Sequence, residues 1–313
     1  MKKSNKSLAI FTLILLAVST NAISTAAYAQ ADHLEKALVL KRSGNLKGAL
    51  EEFEKALRKD PNDNVALIDR ALMRFDSLGD RQGGFDDINQ ALNVNMIDAV
   101  ALRTRADFKS ETGDTAGALA DYREALKWRP NDALSYANRG ILYEQIGKNG
   151  LALSDFSRAI ALSNDLTAQF NRIRLLTDKN AALASYAKLL RCKAVTPSDY
   201  LAQSNAHAYF GYKEKAIALL NLALKNDASY SVAYYNRAVL QAQLGDDKAA
   251  LADYNKYIEL NQNNPKAYYN RSLLREKMND REGAMNDLKR ALELEPQLKL
   301  RQANPTPFSL MLS

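Results

Sequence analysis

The chain has few of the residues that disulfide, metal or phosphate chemistry requires. Its 313 residues include one cysteine, two histidines, thirteen glycines and seven prolines. A single cysteine, Cys192, excludes an internal disulfide, and we expect it to be a buried helix residue. The two histidines, His33 and His207, lie far apart in the sequence and cannot form a clustered metal site. No serine or cysteine lies in a recognisable nucleophile motif, so we expect no metal, no cofactor and no catalytic centre.

Long runs of one charge and long apolar runs are also lacking. The 43 basic and 36 acidic residues are interleaved, which gives nucleic-acid binding little support. The stretch from Met1 to Ala29 holds three lysines and no acidic residue, so the remainder carries a net charge of only +4. The main apolar run, residues 8–18, has eleven residues. A helix that crosses a membrane needs about 20.

The N-terminus has the three parts of a secretory signal peptide. Lysines 2, 3 and 6 precede the apolar run, and Ala27-Tyr28-Ala29 forms a small-residue cleavage site. We therefore predict that residues 1–29 are removed, so that the mature chain begins at Gln30 and has no transmembrane span. No cysteine stands near the cleavage site to accept a lipid anchor. The expected destination is a bacterial periplasm, with full secretion as the second choice.

A glycine or asparagine followed by a polar residue recurs along the chain. The sequence numbers of successive markers differ by 35, 34, 34, 98 and 34, in the order Gly44-Asn45, Gly79-Asp80, Gly113-Asp114, Gly147-Lys148, Gly245-Asp246 and Asn279-Asp280. A period near 34 indicates stacked pairs of helices. We expect each glycine to end a helix in the left-handed conformation and the next residue to cap the following helix. The long interval is four short of three periods, and we predict the losses in turns near residues 178–180 and 211–212.

The second helix of each unit repeats Ala, a large residue and Ala on one face. Ala152, Phe156 and Ala159 follow this pattern, as do Ala118, Tyr122 and Ala125. The chain therefore resembles the tetratricopeptide repeat family. The resemblance implies an all-α, right-handed superhelical solenoid of antiparallel helix pairs over residues 30–296. About eight units are expected, near residues 30–63, 64–97, 98–131, 132–166, 167–196, 197–230, 231–264 and 265–296. Residues 297–313 would form a C-terminal capping segment or tail.

An arginine in the first helix and an aspartate in the second recur together in five units. They stand seventeen positions apart in the first pair, where we expect a longer turn, and sixteen apart in the others: Arg70 and Asp87, Arg105 and Asp121, Arg139 and Asp155, Arg237 and Asp253, Arg271 and Asp287. Lys36 and Glu52 have the commoner spacing in the opening unit. We predict that these residues form ion pairs that specify how the two helices pack.

The family resemblance also implies that ligands bind on the concave face, which the first helices line. The corresponding positions form the predicted peptide-binding groove: Leu134, Asn138, Ile141, Val232, Tyr235, Asn236, Val239, Lys266, Tyr269, Asn270 and Leu273. Asparagine amides can bind a peptide main chain, although these asparagines could equally be part of the scaffold. Within the two Tyr-Tyr pairs, we expect Tyr235 and Tyr269 to face the groove and Tyr234 and Tyr268 to lie in the core.

The predicted function is a non-enzymatic protein-protein interaction scaffold of the cell envelope, acting as an adaptor or assembly factor. Its partner would be an envelope protein or peptide rather than a nucleic acid. The alternative is a carbohydrate-binding accessory protein of envelope polysaccharide or peptidoglycan, because the 15 tyrosines could stack on sugars.

Overall fold

The computed structural model describes residues 32–296. The predicted signal peptide and the predicted C-terminal tail lie outside these described residues. Within them the structure contains sixteen α-helices and no strand, which confirms the all-α repeat fold. The chain divides into two compact units, with the boundary between Ser135 and Tyr136, and each is described separately.

The first unit consists of three antiparallel helix pairs and the start of a seventh helix. The helices are α1 (His33–Arg42), α2 (Leu46–Lys59), α3 (Asn64–Leu72), α4 (Arg81–Val94), α5 (Ala99–Glu111) and α6 (Thr115–Trp128). Odd-numbered helices are the first, and even-numbered helices the second, of each pair.

The second unit contains the rest of α7 (Ala133–Gln145) and nine further helices. They are α8 (Asn149–Ser163), α9 (Leu166–Leu175), α10 (Lys179–Arg191), α11 (Pro197–Tyr209), α12 (Lys213–Asn226), α13 (Ser231–Leu244), α14 (Asp247–Leu260), α15 (Pro265–Lys277) and α16 (Arg281–Leu294).

The turns within the pairs have the predicted chemistry. Gly245 has a φ of 85° and ends α13, a conformation that costs a glycine little. The next residue, Asp246, accepts a hydrogen bond from the Ala249 N–H and caps α14. Asn279 takes the place of the glycine in the last pair, with a φ of 66°. The repeating glycine and acid of the sequence therefore encode a helix end and the following helix start.

The core is built from small residues that alternate with large ones. In α8, the side chains of Ala152, Phe156 and Ala159 are fully buried. The Phe156 ring lies against Gly140 of α7, where an added Cβ would come within 2.8 Å of the ring. The two helices can pack this closely because the facing position has no side chain.

The extra residue of the second pair lies in a helix rather than in the turn. The helix α3 continues as a π-helix over Met73–Ser77, and the turn that follows has the usual length. A π-helix accommodates one additional residue. The expectation of a longer turn was therefore wrong. The insertion places Phe75 against Phe108 of α5, with ring centroids 3.9 Å apart.

The missing residues of the second unit all lie before α11. From the start of α9 to the start of α10 the chain advances by thirteen positions, against sixteen in the neighbouring pairs, and α9 follows α8 one position early. The turn at Gly211-Tyr212 has the regular length, so the prediction of a deletion there was wrong. Cys192 is half-buried at the C-terminal end of α10 rather than inside a helix.

Candidate functional site

The predicted groove positions of α13 and α15 do not share one environment. Tyr235 is only 8% exposed, and its ring contacts the rings of Tyr254 and Tyr257, with centroids 5.9 and 5.2 Å away. Its hydroxyl accepts a hydrogen bond of 2.8 Å from the Asn270 amide of the next pair. Burial raises the pKa of Tyr235, which is consistent with a neutral hydroxyl held in the core. Tyr235 thus joins two repeats instead of facing the groove.

The other tyrosine of this pair lies nearer the surface. Tyr234 is half-buried, and the Arg237 guanidinium stands 5.6 Å from its ring centroid. Tyr268 and Arg271 repeat this contact at the same distance. The expectation that Tyr234 lies deeper than Tyr235 was therefore wrong, because the packing of the following helix decides which ring is covered.

Two asparagines of the predicted groove have unsatisfied carboxamide oxygens. Asn236 and Asn270 are 3% and 6% exposed. The Asn236 amide donates to the carbonyl of Val232, one turn earlier, at 3.0 Å. The Oδ1 atoms of both asparagines are buried and accept no hydrogen bond. An unsatisfied buried acceptor costs about 1–3 kcal/mol. A hydrogen-bond donor that reached either oxygen would therefore be bound favourably.

The remaining groove positions range from exposed to buried. Leu134 and Val232 are 52% and 42% exposed, and Val239 is buried. The others are half-buried: Asn138, Ile141, Lys266, Tyr269 and Leu273. The surface available at α13 and α15 is therefore Val232 with the partly covered Lys266, Tyr269 and Leu273.

The sequence analysis did not identify one asparagine at the same helix position as Asn236 and Asn270. The sixth residue of the first helix is asparagine in α7, α9, α13 and α15, and in α9 it is Asn171, which is 9% exposed. Counted from Asn138, Asn171 arrives one position before a full period. A strictly periodic alignment misses it because α9 begins one position early.

Each of the five Arg-Asp pairs joins the two helices of a repeat through two hydrogen bonds. The Nε and Nη2 atoms donate to the two carboxylate oxygens over 2.6–2.8 Å. This bidentate geometry is the strongest form of an Arg-carboxylate contact. In the opening pair, Glu52 is bound by His33 and Lys55.

Three of these arginines also contact the preceding repeat. Nη1 donates to the Oδ1 of an asparagine sixteen positions earlier, in the pairs Arg105 and Asn89, Arg237 and Asn221, Arg271 and Asn255. The sequence carried a signal for this contact, since Asn221 and Asn255 are separated by one full period. One guanidinium thus fixes both the helix pair and the junction between repeats.

A second cation approaches three of the carboxylates. Lys109, Arg74 and Arg275 lie 2.8, 3.1 and 3.0 Å from Asp121, Asp87 and Asp287. Burial raises the pKa of Asp121, but hydrogen bonds and positive charge from Arg105 and Lys109 lower it by more, so the net pKa is below its usual value. Asp121 is therefore held in its charged form.

Family comparisons match three segments of the chain. Residues 110–147 match a TPR repeat, and residues 231–264 and 265–298 each match a tetratricopeptide repeat. The chain contains tetratricopeptide repeats. No curated protein matches the chain.

The chain is similar to several solved structures. The crystal structure of the APC/C hetero-tetramer Cut9-Hcn1 matches with a TM-score of 0.58 at 14% identity, covering 88% of this chain and 55% of that one. A tetratricopeptide repeat protein from Parabacteroides merdae is 21% identical over 86% of this chain and 93% of its own, with a TM-score of 0.45. YrrB, described as a TPR protein with an unusual peptide-binding site, is 18% identical over 67% and 93%, with a TM-score of 0.32.

A tetratricopeptide repeat array is a scaffold for protein-protein interaction, and the repeats place this protein in that class. Across residues 32–296, His, Cys, Asp and Glu nowhere gather in a group of three or more that could hold a metal ion. His207 binds the Tyr186 hydroxyl through Nδ1 at 2.7 Å, and burial followed by the charge of Lys215 lowers its pKa. None of the helices in the described range is both long and apolar enough to cross a membrane.

Proposed function

We propose that the protein is a non-enzymatic scaffold of the cell envelope that binds a polypeptide partner along the first helices of its C-terminal repeats. It acts as an adaptor or assembly factor after export. The support for export is the N-terminal sequence, with its basic start, apolar run and Ala27-Tyr28-Ala29 cleavage site. The support for polypeptide binding is the repeat family and the polar chemistry of α13 and α15.

The observation that carries the proposal is the pair of unsatisfied oxygens on Asn236 and Asn270. A peptide N–H is a donor that would satisfy them. Val232, one turn before Asn236 on the helix, is 42% exposed and offers an apolar contact for a ligand side chain. An extended peptide requires this alternation of main-chain acceptors and apolar contacts.

A polypeptide fits these residues better than a glycan does. Sugar binding needs open aromatic rings, and Tyr235 is in the core with an exposure of 8%. Of the two tyrosines expected to face the groove, only Tyr269 retains partial exposure. One of the two tyrosine rings that carbohydrate binding would use is therefore covered by the protein itself.

The groove is tested by affinity capture from solubilised envelope with the mature chain as bait. The variant is Val232→Glu, which places a charge one turn from Asn236 without touching the core. The matched control is Leu222→Glu, because Leu222 is 45% exposed on α12, a second helix. A protein retained by the wild type and the control but not by Val232→Glu supports the proposal. Equal retention by all three, with circular dichroism showing equal helicity, would refute it.

Export is tested separately from binding. The full-length chain should be recovered from the periplasmic fraction as a mature protein whose first residue is Gln30, as determined by N-terminal mass spectrometry. A variant with Leu13 and Leu15 changed to Arg interrupts the apolar run and should remain in the cytoplasm with residues 1–29 attached. Recovery of the wild type with an intact leader inside the cell would contradict the envelope assignment.

A further inference from the structure

Positive charge is concentrated in the irregular helix pair of the second unit. Residues 166–196, which contain α9 and α10, have six basic residues and one acidic residue, a net charge of +5. The other seven units have net charges between −2 and +1. The chain from Gln30 onward carries a net charge of +4, so this single helix pair accounts for all of the excess positive charge. The rest of the chain is balanced, so the concentration requires its own explanation.

Four of these cations are exposed on α10 and directly after it. They are Lys179, Lys188, Arg191 and Lys193. In the part of the chain that the structure describes, none of the four takes part in an ion pair. By contrast, Arg174 of the same repeat is bound by both oxygens of Glu144 at 2.7 and 2.8 Å. The available carboxylate is thus used by the buried arginine, and the outer cations are left to solvent.

Helix stability explains only part of this pattern. Lys188 and Arg191 lie in the last turn of α10, where positive charge is favourable to the helix dipole. Lys179 is the first residue of the helix, where the same dipole makes a positive charge unfavourable. Lys193 lies beyond the helix end. Lys179 therefore gains nothing from the helix dipole, and a role in binding accounts for it better.

Between Lys179 and Arg191, α10 exposes a narrow apolar strip. Leu183 is 50% exposed, and Ala184 and Ala187 are exposed beside it. Only Ala182 and Leu189 of this helix are buried, whereas α6 buries five residues. Lys179 and Arg191 are separated by about 18 Å at about 1.5 Å per residue. Lys179, Leu183, Ala187 and Arg191 follow one another at intervals of four residues, so they lie along one exposed stripe of the helix with a cation at each end.

We infer that this face of α10 is a docking surface for an acidic amphipathic helix of a protein partner. Acidic residues near both ends of such a helix would pair with Lys179 at one end and with Arg191 and the neighbouring cations at the other. Alanines at the centre would let the helix axes approach to about 8 Å, with Leu183 as the apolar contact. A membrane fits less well, because Leu183 is the single large apolar residue exposed on α10 and an interfacial helix needs a broad apolar face. The inference does not depend on the groove of α13 and α15.

The test is fluorescence anisotropy with the mature chain and a defined probe. The probe is a labelled helical peptide with glutamates at both ends of one face and leucine at its centre. A second peptide of identical composition has the glutamates distributed around the helix. The triple variant Lys188→Glu, Arg191→Glu, Lys193→Glu should bind the first peptide at least about tenfold more weakly than the wild type. The wild type should also prefer the first peptide to the second.

A matched variant controls for net charge. Arg158→Glu, Lys225→Glu, Lys248→Glu changes three exposed cations on other helices of the same unit and alters the total charge equally. This control should bind the first peptide within about twofold of the wild type. An equal loss in both triple variants, or no binding by the wild type, would overturn the inference. Tighter binding to anionic vesicles or duplex DNA than to the peptide, lost in the α10 variant, would also overturn it and assign the face to that ligand.

Discussion

Removal of the arginine from a repeat should cost most where the aspartate has no second cation. Asp155 is 5% exposed, and its bidentate partner is Arg139. Arg139→Met keeps most of the apolar stem but leaves the carboxylate buried without its cation, which costs about 3–5 kcal/mol. Arg70→Met should cost only about 1.5–3 kcal/mol, because Arg74 still contacts Asp87 at 3.1 Å. The two variants therefore differ in stability although they remove the same interaction.

Urea denaturation followed by circular dichroism measures both free energies of unfolding. A double-mutant cycle then tests the cause, since Asp155→Asn removes the charge that Arg139→Met leaves behind. We expect Arg139→Met to be less costly in the Asp155→Asn background by about 1–3 kcal/mol. Equal destabilisation by Arg139→Met and Arg70→Met, or additive effects in the cycle, would show that the isolated buried charge is not the source of the cost.

Three further predictions concern single contacts. Asn255→Ala removes the exposed hydrogen bond from Arg271 to the preceding repeat and should lower the free energy of unfolding by about 1 kcal/mol in urea denaturation. The lowered pKa of Asp121 stabilises the fold above its unfolded pKa of about 3.9, and this stability is lost as the pH falls through the folded pKa; Asp121→Asn should therefore weaken the pH dependence of unfolding in acid. Tyr235→Phe removes the buried acceptor of the Asn270 amide and should cost about 1–3 kcal/mol, measured by thermal and urea unfolding.

The repeat fold and the ion pairs could be predicted because they depend on local spacing. A glycine such as Gly245 ends a helix through its own backbone conformation, and Asp246 caps the helix that follows directly. An arginine and an aspartate with the recurring spacing, such as Arg237 and Asp253, lie opposite each other once the turn length is known. These features need no information about neighbouring repeats, so one sequence contains them.

The environment of the groove residues could not be predicted in the same way. Adjacent residues on a helix point about 100° apart, so either Tyr234 or Tyr235 could be the covered ring. The choice depends on Asn270, which lies in the next repeat and holds the Tyr235 hydroxyl. The location of the missing residues, by contrast, is contained in the sequence. Gly211 follows Gly147 at a distance four short of two periods, which places the whole deletion before Gly211.

The irregular helix pair combines two departures from the rest of the array. The positions that carry the Arg-Asp pair elsewhere hold Arg172 with Ser185 there, followed by Gln203 with Leu219, so neither repeat has the pair. In a repeat array, stability is the sum of terms within repeats and terms between neighbours, and both lose a contribution at this point. The exposed cations of the same segment make no ion pair in the described structure and add nothing to this stability. We therefore attribute the cations of α10 to a binding surface, carried by a repeat that lacks the Arg-Asp pair.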